Sequence, residues 1–302
     1  MKEDKIESFY LTTERSKYHI YVRTMYADSI DEIMSIGYRL AGIRKGCVNI
    51  TLYNGILSVN SIEYRERCVV MDDATASPLM RGDGTVHMLH TSLSYMLDTY
   101  PRLIHTITFD DASKVPCRFG DTIQHMQLMY TYIALHGQTW YQYRFGAVVL
   151  NEKSRDKYDE LIKRLYSDEY KAGTPFNALH VDQYNRDNVK AGILKQLKKD
   201  YGKSRTILEF FQTLKVRYDK AFCVVTHRWL DVFIDQTILE GKLSLDTRWK
   251  IPIEHVKRIP YTLIATNDAL MGGSITNRWK RLNEHAAGAG SVSLRYGWRT
   301  PV

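Results

Sequence analysis

Cysteine is scarce: Cys47, Cys68, Cys117 and Cys223 are the four in 302 residues, far apart and without a C-x-x-C spacing. That excludes a dense disulfide framework and the usual zinc template, and reduced, mostly buried thiols are expected. Long apolar runs are missing too. The amino terminus, Met1-Lys-Glu-Asp-Lys-Ile-Glu-Ser, is charged and lacks the apolar core of a signal peptide, and no segment approaches membrane-spanning length. No membrane partner is therefore expected, and the location expected is intracellular and cytoplasmic. There is no Gly-x-Ser-x-Gly elbow to suggest a hydrolase, and no internal repeat. Proline numbers only 7, beside 21 tyrosines.

What remains is the composition of an ordinary folded chain, 44% hydrophobic and 25% charged. The net charge of +8 is uneven: residues 1–150 hold 15 Lys+Arg against 16 Asp+Glu, and residues 151–302 hold 27 against 18, an excess of +9. A basic half favours anionic partners, nucleic acid or an acidic protein, through steering and counterion release. The segment Lys195 to Arg205 could grip phosphates with Lys198, Lys199, Lys203 and Arg205, although a solvated helix face is the plainer reading.

Tyr18 to Thr24 alternates as a strand, and Asp28-Ser29 opens an expected helix carrying Ile30, Ile33, Met34, Gly37, Tyr38 and Ala41. Cys47 to Tyr53 and Ile56 to Tyr64 read as a hairpin, because Asn54-Gly55 tolerates the positive φ angles of its turn. A short strand is expected at Cys68-Val-Val-Met, then a loop from Ala74 to Pro78. The Gly-containing turn Arg81-Gly-Asp-Gly-Thr85 leads into a helix carrying Leu89, Leu93, Met96, Leu97 and Tyr100, which Pro101 stops. A strand follows from Leu103 to Phe109 and ends at Asp110-Asp111. Strand, turn, helix and strand in this order describe a parallel crossover.

Met126 to His136 is an aromatic helix or strand, and Trp140-Tyr-Gln-Tyr-Arg-Phe-Gly146 precedes the apolar run Val148 to Leu150. Beyond Glu152 the chain is charged and helically periodic, at Lys157 to Tyr166, Asn188 to Tyr201, and Thr206 to about Gln236, where Thr206 and Glu209 have capping-box spacing. A boundary is placed near residue 150, with a mostly α-helical basic region over 151–302. Its tail, Gly272-Gly273, Ala286 to Gly290 and the basic-aromatic run beyond, is expected to order only against a partner.

Glycines before a helix let a backbone approach a phosphate, and the helix amino terminus presents free N–H groups with partial positive charge. Arg81, Gly82, Gly84 and Thr85 supply that arrangement. With the helix, the strand ending at Asp110-Asp111-Ala-Ser113 and the segment Tyr141-x-x-x-Phe145-Gly146, the chain resembles the GNAT superfamily of acyl-CoA-dependent N-acyltransferases over about half its length. Arg81 and Gly84 stand at positions of the family's Gln/Arg-x-x-Gly-x-Gly/Ala signature, Tyr141 at its tyrosine. Val86 replaces the last Gly/Ala, and Asp83 places a carboxylate in the cradle, where it is expected to cap the helix.

The resemblance implies an α/β (α+β) fold with a mixed central sheet, and acetyl-CoA as cosubstrate with an amine as acceptor. Backbone N–H groups at residues 82–86 would hold the pyrophosphate, and a strand N–H near Val69 to Met71 would polarise the thioester. Tyr141 would protonate the departing thiolate, a phenol's pKa lying near a thiol's, with Tyr143 an alternative. Asp110, Asp111 or Glu63 would serve as base. Core packing is an equal reading for either tyrosine. His87 and His90 lie at i and i+3, but no further ligand completes a metal site, and surface or capping roles are expected for them. More faintly, the aromatic segment and second-half helices are similar to uncharacterised GNAT-like proteins of large DNA viruses, which would place the chain in host cytoplasm or a virion. The other reading is a binding or structural protein that keeps the fold without the chemistry and uses its basic half to contact nucleic acid or protein.

Overall fold

The computed structural model describes residues 5–26, 33–41, 46–63, 65–70, 81–111, 113–119, 121–181, 191–227, 229–234 and 248–266. The chain is mixed α+β, built on one nine-stranded sheet with a separate two-stranded hairpin. Five strands come first: β1 (Lys5–Thr12), β2 (Lys17–Tyr26), β3 (Ile33–Leu40), β4 (Val48–Tyr53) and β5 (Ile56–Ile62), each antiparallel to its predecessor. The β4–β5 turn is the expected one, with Asn54 at φ 46° and Gly55 at φ 78°.

Two expectations in this stretch are overturned. Residues 33–41 form no helix: Ile36, Tyr38 and Leu40 are buried at a period of two, and β3 is hydrogen-bonded on both flanks, to β2 and β4. Ile36 and Leu40, four apart, suit either period, and pairing on two sides decides between them. Asp28, Ser29 and Ile30 lie outside the described residues. Cys47 and Cys68 are not reduced thiols but a disulfide, with Cα atoms 5.9 Å apart. The hairpin brings the end of β5 back beside Cys47, where Glu63 N–H donates to the Cys47 carbonyl, and a 3₁₀ turn at Glu66–Cys68 completes the approach. That turn also replaces the strand expected at Cys68 to Met71; Met71 and the loop from Ala74 to Pro78 lie outside the described residues.

The long helix α1 (Arg81–Thr99) crosses to β6 (Thr106–Asp110), which pairs in parallel with β5 from Ile56↔Thr106 to Val59↔Phe109. This is the sheet's one parallel pair among the described residues, and it makes a crossover as expected, but one that leaves from β5 rather than from a strand at Cys68 to Met71. The small hairpin β7 (Lys114–Phe119) and β8 (Thr122–Gln127) leads to helices α2 (Leu128–His136) and α3 (Trp140–Phe145), then β9 (Val148–Val149). Thr139 and Gln142 form a capping box at the start of α3, and Gly146 ends it at φ 58°.

The second half opens with helices α4 (Glu152–Tyr166), α5 (Asp168–Gly173), α6 (Ala191–Lys203), α7 (Ile207–Tyr218), α8 (Phe222–Thr226) and α9 (Trp229–Val232). The single helix expected from Thr206 to about Gln236 is broken at Asp219, whose φ of 39° no helix accepts, and again after Thr226. Thr206 caps α7 by accepting from Glu209 N–H, while the Glu209 carboxylate reaches Arg205 N–H.

The chain then returns to the sheet with β10 (Arg248–Ile251) and β11 (Thr262–Ala265). The strand order is β11-β1-β2-β3-β4-β5-β6-β10-β9, so the sheet takes strands from both sides of residue 150. One continuous core underlies it, from Phe9, Tyr18 and Tyr38 through Trp249 to Phe210, Phe211, Trp229 and Phe233. The tail from Gly272 onward lies outside the described residues. No helix among the described residues is long and apolar enough to cross a membrane.

Candidate functional site

The chemistry-bearing residues gather where β6 ends. Its partner β5 carries an extra residue, Asn60, at a register shift against β4, and the β5–β6 ladder stops at Val59↔Phe109. Asp110 turns instead to β10, opposite Arg248. The two parallel strands thus share no ladder at their carboxyl ends, leaving backbone groups of β5 without a partner on β6.

Beyond that point Asp111 is 2% exposed. Its Oδ1 accepts from Ser113 N–H at 3.2 Å, while Oδ2 is buried with no hydrogen-bond partner among the described residues. The Ser113 hydroxyl lies 3.3 Å from the Tyr141 hydroxyl. Tyr141 is buried, with its ring 4.2 Å from that of Phe109. Burial, then the Asp111 carboxylate, pushes the Tyr141 phenol up to about 12, and burial raises Asp111 against the opposing Ser113 hydrogen bonds. The phenol is therefore fully protonated at neutral pH, but it is not matched to a thiol as the sequence alone implies. Asp111 becomes a stronger base than a free carboxylate.

Of the three carboxylates proposed as base, Asp111 alone is buried beside Tyr141. Asp110 is exposed, and Glu63 is exposed and paired with Arg65. Tyr143 is 58% exposed and lies under the Arg144 guanidinium. Ser113, which lies between Asp111 and Tyr141, was not singled out, although Asp-x-Ser is the pattern of a carboxylate bonding the backbone two residues on.

The segment Arg81 to Thr85 is not a turn. It is the first turn of α1, and neither Gly82 nor Gly84 takes a positive φ. A helix leaves its first four N–H groups without intrahelical partners, so the anion-binding property survives the change of shape. Gly84 is buried, whereas Gly82 is exposed and a Cβ added there would meet nothing within 4 Å. The exposed Asp83 carboxylate lies 3.8 Å from Arg144 of α3, which joins the helix start to the tyrosine segment across 61 residues of chain.

Val69 and Val70 belong to no strand, and Val70 N–H donates to the Lys17 carbonyl instead; Met71 lies outside the described residues. Two surface cavities lie at the two ends of β5. One of about 240 Å³, lined by Asn49, Ser61, Arg65 and Arg67, sits at the carboxyl end of β5, and one of about 380 Å³ sits at its amino end.

No family model, no curated protein and no solved structure matches the chain. The site is therefore read from its own geometry.

His87 and His90 are not surface residues; they are 8% and 1% exposed. His87 Nδ1 lies 2.8 Å from the Tyr18 hydroxyl, and His90 Nδ1 accepts from Lys257 N–H. Among the described residues no group of three or more His, Cys, Asp or Glu could hold a metal ion. Burial first, with nearby cations, lowers both imidazoles to about 4. Depressed folded values stabilise the fold above the unfolded pKa of about 6.5, and this contribution is lost as pH falls through about 4. The thermal midpoint is expected to fall across that window with uptake of protons at both histidines. Replacing either by glutamine should flatten the fall, and an unchanged profile would contradict the burial argument.

Proposed function

We propose that the chain is a divergent, GNAT-like acyl-CoA-dependent N-acyltransferase that moves an acetyl group from acetyl-CoA to an amine. The observation that carries this reading is the meeting of Tyr141, Ser113 and Asp111 beyond the last rung of the parallel β5–β6 pair, with Arg144 of the same helix as Tyr141 reaching Asp83 in the first turn of α1. Backbone N–H groups from Arg81 to Gly84, the first four of α1, hold the pyrophosphate at the positive end of the helix. A backbone N–H of β5 beyond Val59 polarises the thioester carbonyl.

The amine nitrogen attacks that carbonyl and gives its proton to Asp111. The carbon–sulfur bond then breaks, Tyr141 gives its proton to the departing CoA sulfur, and the proton that Asp111 took from the amine passes through the Ser113 hydroxyl to the Tyr141 oxygen. Of Asp110, Asp111 and Glu63, Asp111 thus takes the base's role. Replacing Asp111 by asparagine should lower kcat by about 100-fold, the usual worth of a general base, while Asp110→Asn should stay within about twofold. HPLC detection of CoA released from acetyl-CoA across a panel of primary amines reads both. Equal losses in the two variants would remove Asp111 from the mechanism, and amine-independent release would remove acyl transfer.

A second reading, of a binding protein without chemistry, draws on the outer face of α6. Lys195, Lys198, Lys199 and Lys203 are exposed there, while Leu197 and Tyr201 are buried and the buried Asp200 grips Arg217 on α7. Salt-sensitive binding to DNA or RNA, with no response to acetyl-CoA, would favour it.

A further inference from the structure

We propose that Cys117 and Cys223 are a second thiol pair, which a small-molecule disulfide closes into an intramolecular bridge between β7 and α8. In the β7–β8 hairpin Cys117 is opposite Gln124 and Val115 opposite Met126, so these four side chains share a face. That face is the covered one: Cys117 and Met126 are buried, whereas Lys114, Pro116, Ile123 and His125 are exposed. Helix α8 lies over it, with the Thr226 hydroxyl 3.9 Å from Met126 Sδ. Cys223, one turn earlier on the same side of α8, comes over Cys117, close enough for the two thiols to influence each other's ionisation. Both are free thiols, while the other two cysteines are already joined.

The chemistry is ordered by exposure. Cys223 is half-buried and meets the reagent first: its thiolate attacks the external disulfide, forming a mixed disulfide and releasing one thiol. Cys117 then attacks the Cys223 sulfur, closing the protein bridge and releasing the second thiol. Two protein thiols are oxidised and one external disulfide is reduced to two thiols. Burial, Cys223 and the Asp231 carboxylate push the Cys117 thiol up, so the closing step is the slow one. Because β7 starts at the residue after Ser113, the bridge tethers the hairpin that follows the candidate site.

The test is a non-reducing peptide map of the full chain before and after oxidised glutathione, quenched and denatured in N-ethylmaleimide. The labelled thiols, Cys117 and Cys223, should both vanish and a peptide joining them should appear. Cys117→Ser should instead retain glutathione on Cys223. A stable glutathione adduct on Cys223 with Cys117 still labelled, or two thiols still labelled, would overturn the proposal. The wild-type map suffices if the variant fails to fold, and its outcome is independent of acyl transfer.

Discussion

Replacing Tyr141 by phenylalanine is expected to lower kcat for acetyl transfer by about 10²–10⁴, the range of a positioned proton donor, with KM for acetyl-CoA nearly unchanged. The ring would keep its contacts with Phe109, Trp140 and Phe145, so the fold should persist. What is lost is the one hydroxyl that lies against Ser113. Tyr143→Phe, at an exposed position, should leave the rate within about twofold of the parent, far short of the proton donor's range. Steady-state kinetics with a reactive amine separate the two, and a fully active Tyr141→Phe enzyme would assign Tyr141 to packing alone.

The second large effect concerns the sheet. Trp249 of β10 is fully buried, lies opposite Phe109 on β6 and Val149 on β9, and meets Tyr158 edge-on at 5.5 Å. Trp249→Ala should cost about 3–5 kcal/mol, a large share of the roughly 5–15 kcal/mol that holds most domains. The urea midpoint would fall with little change in slope. Val216→Ala, at a position 85% exposed, should shift stability by less than about 0.5 kcal/mol. A loss below about 1 kcal/mol at Trp249, within the reach of an ordinary surface change, would mean that β10 is not integral to the sheet.

Local chemistry explains what could be read from the sequence. Asn54-Gly55 dictates its turn without help from the rest of the chain, and the crossover through α1 follows from adjacent segments. Ile33 to Leu40 could not be assigned in this way, because the same apolar residues satisfy two periods until β2 and β4 flank them. β10 and β11 escaped notice because each is only four residues long and its partners lie far away in sequence. The Cys47–Cys68 bridge, too, depends on a hairpin return that cysteine spacing does not encode.

At the site, Tyr141 and the start of α1 could be found by pattern, and their closeness is visible in the Asp83–Arg144 pair. The choice of Asp111 over Asp110 was hidden, since adjacent residues at a strand end point opposite ways and burial alone separates them. His87 and His90 were misjudged because their partners, Tyr18 and the Lys257 backbone, come from distant segments.

Calorimetric titration of the full chain with acetyl-CoA tests the central claim most directly. The account predicts saturable binding that Arg81→Glu abolishes and that Gly82→Ala weakens, even though the added methyl meets no protein atom and favours the helix. Absence of binding to the parent protein, or binding that neither substitution alters, would contradict it.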